Sequence, residues 1–179
     1  MTMAKWLKIL GFLLPIFTFG GLVVVIYLNP WFSFTENALS DMGSIHNPIS
    51  YVFNFLIILV GSLGLLFGIE SARRKLTTPL FLIGMLCLTF VGVFPEEYSP
   101  HSLFAVAFYL FIFADIFYGG LKMIKRGTKS GFLWVLGSVT VFSVMLYLTK
   151  VFKGLAIPEL LGAVFINAWI IFLALNIEK

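Results

Sequence analysis

The chain has 179 residues, of which 60% are hydrophobic and 11% are charged, whereas a soluble domain averages about 45–50% apolar and about 25% charged residues. The apolar residues form long uninterrupted runs, which excludes a water-soluble core as their explanation and predicts a membrane protein. The net charge of +4 comes from basic residues in short loops, so contact with anionic lipids is favoured over nucleic-acid binding.

Six apolar runs approach or exceed the ~20 residues that cross a ~30 Å hydrocarbon core. They cover residues 6–28, 49–70, 77–94, 102–121, 131–149 and 158–177. Since the gaps between them are too short for a soluble domain, we predict one all-α domain over residues 1–179. This domain is an integral membrane bundle of six transmembrane helices. The first run is too long for a signal peptide and precedes no small-residue cleavage site, so we expect an uncleaved anchor helix.

Basic residues are divided unevenly between the two ends of the predicted bundle. An even number of spans places both termini at one end, and of the 12 Lys and Arg residues only Lys150 and Lys153 fall at the other. By the positive-inside rule the termini are cytoplasmic, and we expect a multi-pass protein of the cell (plasma) membrane. The outer end then carries both histidines and five of the eight acidic residues: Glu36, Asp41, Glu96, Glu97, Glu159, His46 and His101.

The first outer segment, "SFTENALSDMGSIHNP" at 33–48, is unusually polar for this chain. Thr35 is a good N-cap residue and Gly43 a good terminator, which predicts a short interfacial helix between them. Helical spacing would place the polar side chains of Glu36, Asn37, Ser40 and Asp41 on one face. That face either lines a site at the mouth of the bundle or simply meets water.

Two other outer segments repeat one pattern, in which a proline opens a membrane helix beside an ionisable residue. His101 follows Ser99-Pro100, and Glu159 follows Pro158. The helix starts predict that both side chains face the same mouth as residues 36–41. The alternatives are that His101 only hydrogen-bonds the helix end and that Glu159 only complements the helix dipole. Glu96 and Glu97 are expected to be solvated loop charges.

Among the residues of the predicted spans, Asp115 has the side chain with the highest free-energy cost of placement in the hydrocarbon core. Intramembrane acids are functional candidates by default, although Asp115 could instead pair with Arg73, Arg74 or a backbone group. Asn54 and Asn167 are expected to form interhelical hydrogen bonds. Cys87 is the only cysteine, which excludes an intramolecular disulfide and a cysteine-based zinc cluster.

Three motifs together carry a family resemblance: "NALSDMGS", "FPEEYSPHSLFA" and "GLAIPELLGAVFINAW". In order and spacing the chain resembles the six-helix prokaryotic membrane family catalogued as a domain of unknown function, number nine-nine-eight. The family pattern has Leu-Ser-Asp-x-Gly, a later His with small residues, and a Glu followed by a Trp. It matches Leu39, Ser40, Asp41 and Gly43, then His101 and Ala105, then Glu159 and Trp169.

The chain departs from this pattern at Leu160, where the family often has an arginine that could bind an anion. More distantly, the Ser-Asp-x-Gly motif and the helix-start histidine are similar to a eukaryotic group that contains lysosomal autophagy modulators and a glycolipid-anchor remodelling factor. That similarity implies a link to lipids and supplies no reaction.

The residues support two classes of function. The first is a lipid-modifying hydrolase or acyltransferase at the outer leaflet, with Ser40 as nucleophile and His101 as general base oriented by Asp41 or Glu159. Its substrate-binding candidates are Glu36, Asn37, His46 and Asn54. In a variant of this hypothesis a divalent metal such as zinc is held by His46, His101, Asp41 and Glu159. Neither HExxH nor GxSxG occurs in the sequence.

The second class is a non-catalytic protein that binds or transports a lipid or an ion at the same outer mouth. Asp115 would then offer a proton or cation step within the membrane. The expected partner in either class is a membrane lipid, no nucleic acid is expected, and a protein partner is left open.

Overall fold

The computed structural model describes residues 3–177, and these form helices and connecting loops without any β-strand. The α-helices are α1 (Met3–Pro15), α2 (Gly21–Leu28), α3 (Ser50–Arg73), α4 (Pro79–Val93), α5 (Pro100–Lys125), α6 (Ser130–Val151) and α7 (Ala156–Leu175). A π-helix (Ile16–Gly20) joins α1 to α2, and a 3-10 helix (Leu39–Gly43) lies in the first long loop. The six predicted helical runs are therefore confirmed.

Five of these helical segments are long and apolar enough to cross a membrane, the first being the continuous stretch Ala4–Leu28. The remaining apolar helix, Pro79–Val93, is shorter. Large apolar side chains such as Val23, Phe55 and Leu133 are exposed on the outside of the bundle, as expected where lipid replaces water. The protein is a multi-pass, membrane-type helical bundle.

The first membrane segment is interrupted, which the run of apolar residues did not predict. Pro15 has no N–H to bond to the preceding turn, and the five residues after it wind as a π-helix. The hydroxyl of Thr18 donates to the Leu14 carbonyl at 2.9 Å. The wider turn directs Thr18 and Leu22 toward a cavity inside the bundle.

Neighbouring helices pack in chain order as α3–α4, α4–α5 and α5–α6, and α1 closes the bundle against α7. Phe67, Phe81, Ile112 and Trp169 are buried at the centre. Close approach depends on glycine where backbones meet: a Cβ on Gly131 would lie 2.5 Å from the Gly120 carbonyl oxygen. This packing holds three loops together at one end of the bundle. We call that end, formed by residues 29–49, 94–99 and 152–155, the loop end.

Asp115 is buried at 0% exposure in α5 and accepts a hydrogen bond from the Thr78 backbone N–H at 2.6 Å. Asp115 was expected to pair with Arg73, with Arg74 or with a backbone group, and the structure shows the backbone contact. Arg73 and Arg74 lie beside Glu70 instead. The Asp115 contact ties the start of α4 to the middle of α5, because Thr78 is the residue that caps α4.

The predicted helix from Thr35 to Gly43 is wrong in its first half, since only Leu39–Gly43 is helical. An α-helix beginning at Thr35 would need the carbonyls of Thr35 and Asn37 for its own turns. Those carbonyls instead accept hydrogen bonds from the backbone N–H groups of Gly154 and Ala156, each at 2.9 Å. A contact with a distant segment thus replaces the local helix.

Candidate functional site

The first and third loops of the loop end are joined by backbone hydrogen bonds, and Gly154 makes their close approach feasible. A Cβ at position 154 would lie 2.2 Å from the Asn37 carbonyl oxygen, so any other residue would separate the two segments. A third contact joins the next residues of the two segments: the Leu39 N–H donates to Glu159 Oε2 at 2.7 Å. This bond fixes Glu159 next to the segment that carries Ser40.

Asp41 holds the turn that precedes the 3-10 helix. Its Oδ2 accepts hydrogen bonds from the Asn37 side-chain amide at 2.9 Å and from the Ala38 N–H at 3.1 Å. The Asn37 side-chain oxygen in turn accepts from the Ser33 N–H at 3.0 Å. These local bonds compete with regular helix, and they place Asp41 and Asn37 in the scaffold of the loop.

A second group of asparagines fixes the other side of the same loop. Asn47 donates to the Asn29 side-chain oxygen at 2.8 Å and to the Met42 carbonyl at 2.7 Å. Asn54, a predicted substrate-binding residue, donates to the Gly43 carbonyl at 3.0 Å. Asn54 therefore joins α3 to the short 3-10 helix of the first loop, and this bond differs from the one between membrane helices that was expected of it.

Glu97 is exposed, as expected of a solvated loop charge, and it is also bound to the first loop. Its carboxylate accepts hydrogen bonds from the Ser44 hydroxyl and, at 3.1 Å, from the Ile45 N–H. Desolvation acts to raise the pKa of Glu97, but these hydrogen bonds and the nearby His46 hold that pKa below its usual value. The second loop is thereby anchored to the first.

Glu96 has a raised pKa at the loop end. Partial burial, the adjacent Asp41 side chain, and repulsion by Glu97 and Glu159 raise the pKa of Glu96 to about 7. Although Glu96 has an exposed side chain, it is thus part of an acidic group with Asp41 and Glu159.

His101 is 7% exposed, in the first turn of α5. Its Nδ1 lies 2.6 Å from the Phe94 carbonyl oxygen. Because a carbonyl only accepts, Nδ1 must be the donor, which leaves a lone pair on Nε2 of the neutral ring. The carboxylate partner expected for this ring nitrogen, Asp41 or Glu159, is replaced by a backbone oxygen.

A cavity of about 60 Å³ lies against the first loop, and side chains from five elements line it. Its polar lining residues are Ser40 from the 3-10 helix, His101 and Tyr109 from α5, and Glu159 from α7. Apolar side chains, among them Phe53 and Phe108, form the rest of its wall. We call this space the polar cavity. It brings together three of the four predicted catalytic residues, and Asp41 stands outside its lining.

Tyr109 was missed by the sequence reasoning. Its hydroxyl donates to the Glu159 carbonyl oxygen at 3.0 Å. The spacing of His101, Ala105 and Tyr109 is i, i+4 and i+8, which places all three on one face of α5, and all three line the polar cavity. That periodicity was a signal available in the sequence.

The remaining predicted site residues are not gathered at the polar cavity. Glu36 is exposed and pairs with Lys153 at 3.2 Å, and His46 is exposed on the first loop. Within residues 3–177, no group of three or more His, Cys, Asp or Glu side chains is arranged to hold a metal ion. The hypothetical zinc ligands His46, His101, Asp41 and Glu159 therefore do not form a metal centre among these residues.

A family model described as "Protein of unknown function (DUF998)" matches residues 10–176. The chain belongs to this family. The match to the DUF998 model covers all three motifs that carried the resemblance, and it includes Ser40, Asp41, His101 and Glu159. A search of curated proteins and a search of solved structures each found no match.

Proposed function

We propose that this DUF998 protein is a lipid-modifying enzyme, a hydrolase or acyltransferase that acts on an acyl ester at the outer leaflet. The supporting observation is that Ser40, His101 and Glu159 line one cavity although they come from separate elements. A nucleophile and a neutral imidazole in the base-competent tautomer are the parts that acyl transfer requires. The first loop also contributes Leu39 and Ser40 to the lining of the polar cavity.

In the proposed reaction His101 Nε2 accepts the proton of the Ser40 hydroxyl as Oγ attacks the ester carbonyl carbon. The new Oγ–C bond forms, the C–O bond to the leaving alcohol breaks, and His101 returns the proton to that alcohol. Water or a second alcohol then removes the acyl group from Ser40 by the same proton exchange. Within the described residues no hydrogen bond joins Ser40 to His101, and such contacts often form only when substrate binds.

Glu159 would position the nucleophile and stabilise the protonated base. Its carboxylate fixes the Leu39 N–H, one residue before Ser40. A carboxylate lining the same cavity also favours the imidazolium that forms when His101 takes the proton. These roles are electrostatic and orienting, so Glu159 acts through Ser40 and His101.

A lipid substrate is favoured because the polar cavity adjoins an apolar space inside the bundle. The inner space has a volume of about 80 Å³ and shares Leu39, Phe108 and Tyr109 with the polar cavity. A polar reaction centre beside a hydrocarbon-lined chamber suits an ester that carries a hydrophobic chain. Orientation toward the outer leaflet is supported by the concentration of Lys and Arg near the opposite end.

The test is turnover of a panel of phospholipids and isoprenoid lipids by the purified protein in liposomes, followed by mass spectrometry. Replacing the nucleophile in Ser40→Ala should abolish turnover. His101→Asn retains a side-chain donor for Phe94 but loses the base, so we expect a loss of about 10²–10⁴-fold with little change in thermal stability. Ser102→Ala, an exposed neighbour of His101, is the control and should remain active.

Equal turnover by the wild type and Ser40→Ala, or none by the wild type across the panel, would contradict the enzyme hypothesis. The second candidate is a non-catalytic protein that binds a lipid with a cationic headgroup. It is supported by the acidic group of Asp41, Glu96 and Glu159, whose mutual repulsion is evident at Glu96. Retention of an aminated lipid through purification, without turnover, is the result this candidate predicts.

A further inference from the structure

A lateral groove lies on the lipid-facing surface, where α5, α6 and α7 meet near the loop end. It has a volume of about 170 Å³. Its walls include Val106 and Tyr109 of α5, Met145 and Leu146 of α6, and Leu155 and Glu159 at the start of α7. Val106 and Leu146 are 59% and 54% exposed, so the groove is open to the surrounding hydrocarbon.

The groove is polar at one end only. Along α6 it runs from Phe142 to Thr149, a rise of roughly 10 Å at 1.5 Å per residue. Its apolar part lies toward the middle of the bundle, whereas Glu159 and Thr149 lie toward the loop end. The Thr149 hydroxyl already donates to the Leu146 carbonyl at 2.8 Å, which leaves Glu159 as the group able to meet a polar ligand.

The groove and the polar cavity share a wall. Ala105, Tyr109 and Glu159 line both spaces, and a hydrogen bond from the Tyr109 hydroxyl to the Glu159 carbonyl joins two of these wall residues. A molecule lying in the groove would therefore have its polar end beside the cavity that holds Ser40 and His101.

We propose that the groove receives one acyl chain of an outer-leaflet glycerolipid and presents the ester of that chain to the polar cavity. This inference rests on the proposed function and names the substrate class and its route of entry. A helix with side chains is about 10–12 Å wide, which a groove of about 170 Å³ does not admit, whereas a single hydrocarbon chain is narrow enough. The bilayer supplies such chains directly along the groove.

Selection depends on the polar end of the groove. Moving a chain from lipid into an apolar groove changes its surroundings little, because lipid tails are as apolar as leucine side chains. The walls therefore orient the chain, and Tyr109 and Glu159 form the polar end of the groove beside which the ester would lie. Because only an ester offers Ser40 a carbonyl carbon, we expect turnover of ester-linked but not of ether-linked lipids, with weak dependence on the far end of the chain.

The structure offers a matched control surface. A second lateral groove of about 280 Å³ lies between α5 and α6 and is lined by Leu110, Phe117, Val139 and Ser143, among others. Val139 is 55% exposed, which is similar to the exposed fractions of Val106 and Leu146. This control groove is larger, yet neither Tyr109 nor Glu159 lines it.

The test uses liposomes that contain a phosphatidylethanolamine with a diazirine in one acyl chain, and the labelled peptides are mapped after irradiation. We expect labelling concentrated at residues 105–109 and 145–149, which line the groove and not the control groove. Val106→Trp and, independently, Leu146→Trp should reduce that labelling several-fold by filling the groove. Val139→Trp should leave it unchanged. Ser40→Ala should retain labelling, since the groove binds the chain before any chemistry.

Uniform labelling of all lipid-facing helices, or labelling that neither tryptophan variant reduces, would overturn the groove assignment. Turnover with no preferential labelling would contradict the role of the groove and leave the enzyme hypothesis supported. Concentrated labelling without turnover by the wild type would contradict the enzyme hypothesis and leave the binding of an acyl chain in the groove supported. Two tryptophan variants on different helices are used so that a folding defect in one does not decide the result.

Discussion

His101 uses a single hydrogen bond for two purposes. Its Nδ1 donor closes the turn between α4 and α5 by satisfying the Phe94 carbonyl, which lies at the end of α4. The same bond selects the tautomer with a free lone pair on Nε2. A structural contact and a reactive state are therefore coupled at one residue, and only a substitution that retains the donor can separate them.

Glu96 predicts a pH dependence of stability at the loop end. Since the pKa of Glu96 rises from an ordinary 4.5 to about 7 in the folded protein, the fold binds this proton more tightly than the unfolded chain does. Stability should fall as pH rises from about 4.5 to about 7. Glu96→Gln should reduce that slope, as measured by thermal unfolding of the detergent-purified protein between pH 5 and pH 8.

Glu36→Gln is the control for this experiment, because it removes an exposed carboxylate paired with Lys153 at the same end. That variant should preserve the slope. An unchanged slope in Glu96→Gln, or a slope of opposite sign in the wild type, would contradict the assignment.

At the scale of elements, the loop end is organised by segments that are far apart in the chain. The backbone pairing of residues 35–37 with 154–156 and the bond from Leu39 to Glu159 make α7 a support for the first loop. The Glu97 carboxylate binds the same loop from the second loop. The three loops are thus bonded to one another, and the first of them contributes Leu39 and Ser40 to the lining of the polar cavity.

Gly154→Ala should disrupt the contact between the first and third loops. The added Cβ would overlap Asn37, and overpacking of this kind costs about 1–3 kcal/mol. The expected result is a lower midpoint of thermal unfolding together with faster amide exchange at residues 35–41. Gly20→Ala is the matched control, because a Cβ there meets nothing within 4 Å. A Gly154→Ala protein as stable as Gly20→Ala would show that the loops tolerate separation.

Asp115 supports a different element junction, at the start of α4. Asp115→Ala would leave the half-buried Thr78 N–H without its acceptor, and the cost should be at most that of a fully buried unsatisfied donor, about 1–3 kcal/mol. Asp115→Asn keeps an oxygen for that N–H and should lose less. Amide exchange of residues 78–81 in both variants measures the effect. Equal exchange in the two variants would indicate that the contact with Thr78 contributes little.

At the scale of the whole molecule, the membrane orientation can be tested by cysteine labelling. Cys87 is the only cysteine and is buried, so Cys87→Ala provides a background without thiols. In intact cells a membrane-impermeant maleimide should label Lys153→Cys, at the loop end, but not Lys129→Cys, between α5 and α6. Lys129→Cys should react only after permeabilisation. The reverse pattern would place the loop end in the cytoplasm and contradict an outer-leaflet site.

The positions of the six helices could be predicted from the sequence. Membrane spans depend on the length of an apolar run and on prolines at helix starts, and both can be read directly from the order of residues. The sequence also indicated Ser40, His101 and Glu159 as neighbours, since each follows a recognisable helix start or turn. The helix from Thr35 failed because its carbonyls bind Gly154 and Ala156, and no local rule anticipates a partner so far along the chain.

The bond between Leu39 and Glu159 joins residues 120 positions apart, and this separation has a consequence for biogenesis. At about 5–20 residues per second, translation reaches Glu159 roughly 6–24 s after Leu39. During that interval the first loop has neither its carboxylate partner nor the backbone pairing to residues 154–156. The polar cavity therefore forms only once α7 is in the membrane, and a chain arrested before α7 presents Ser40 on an unsupported loop.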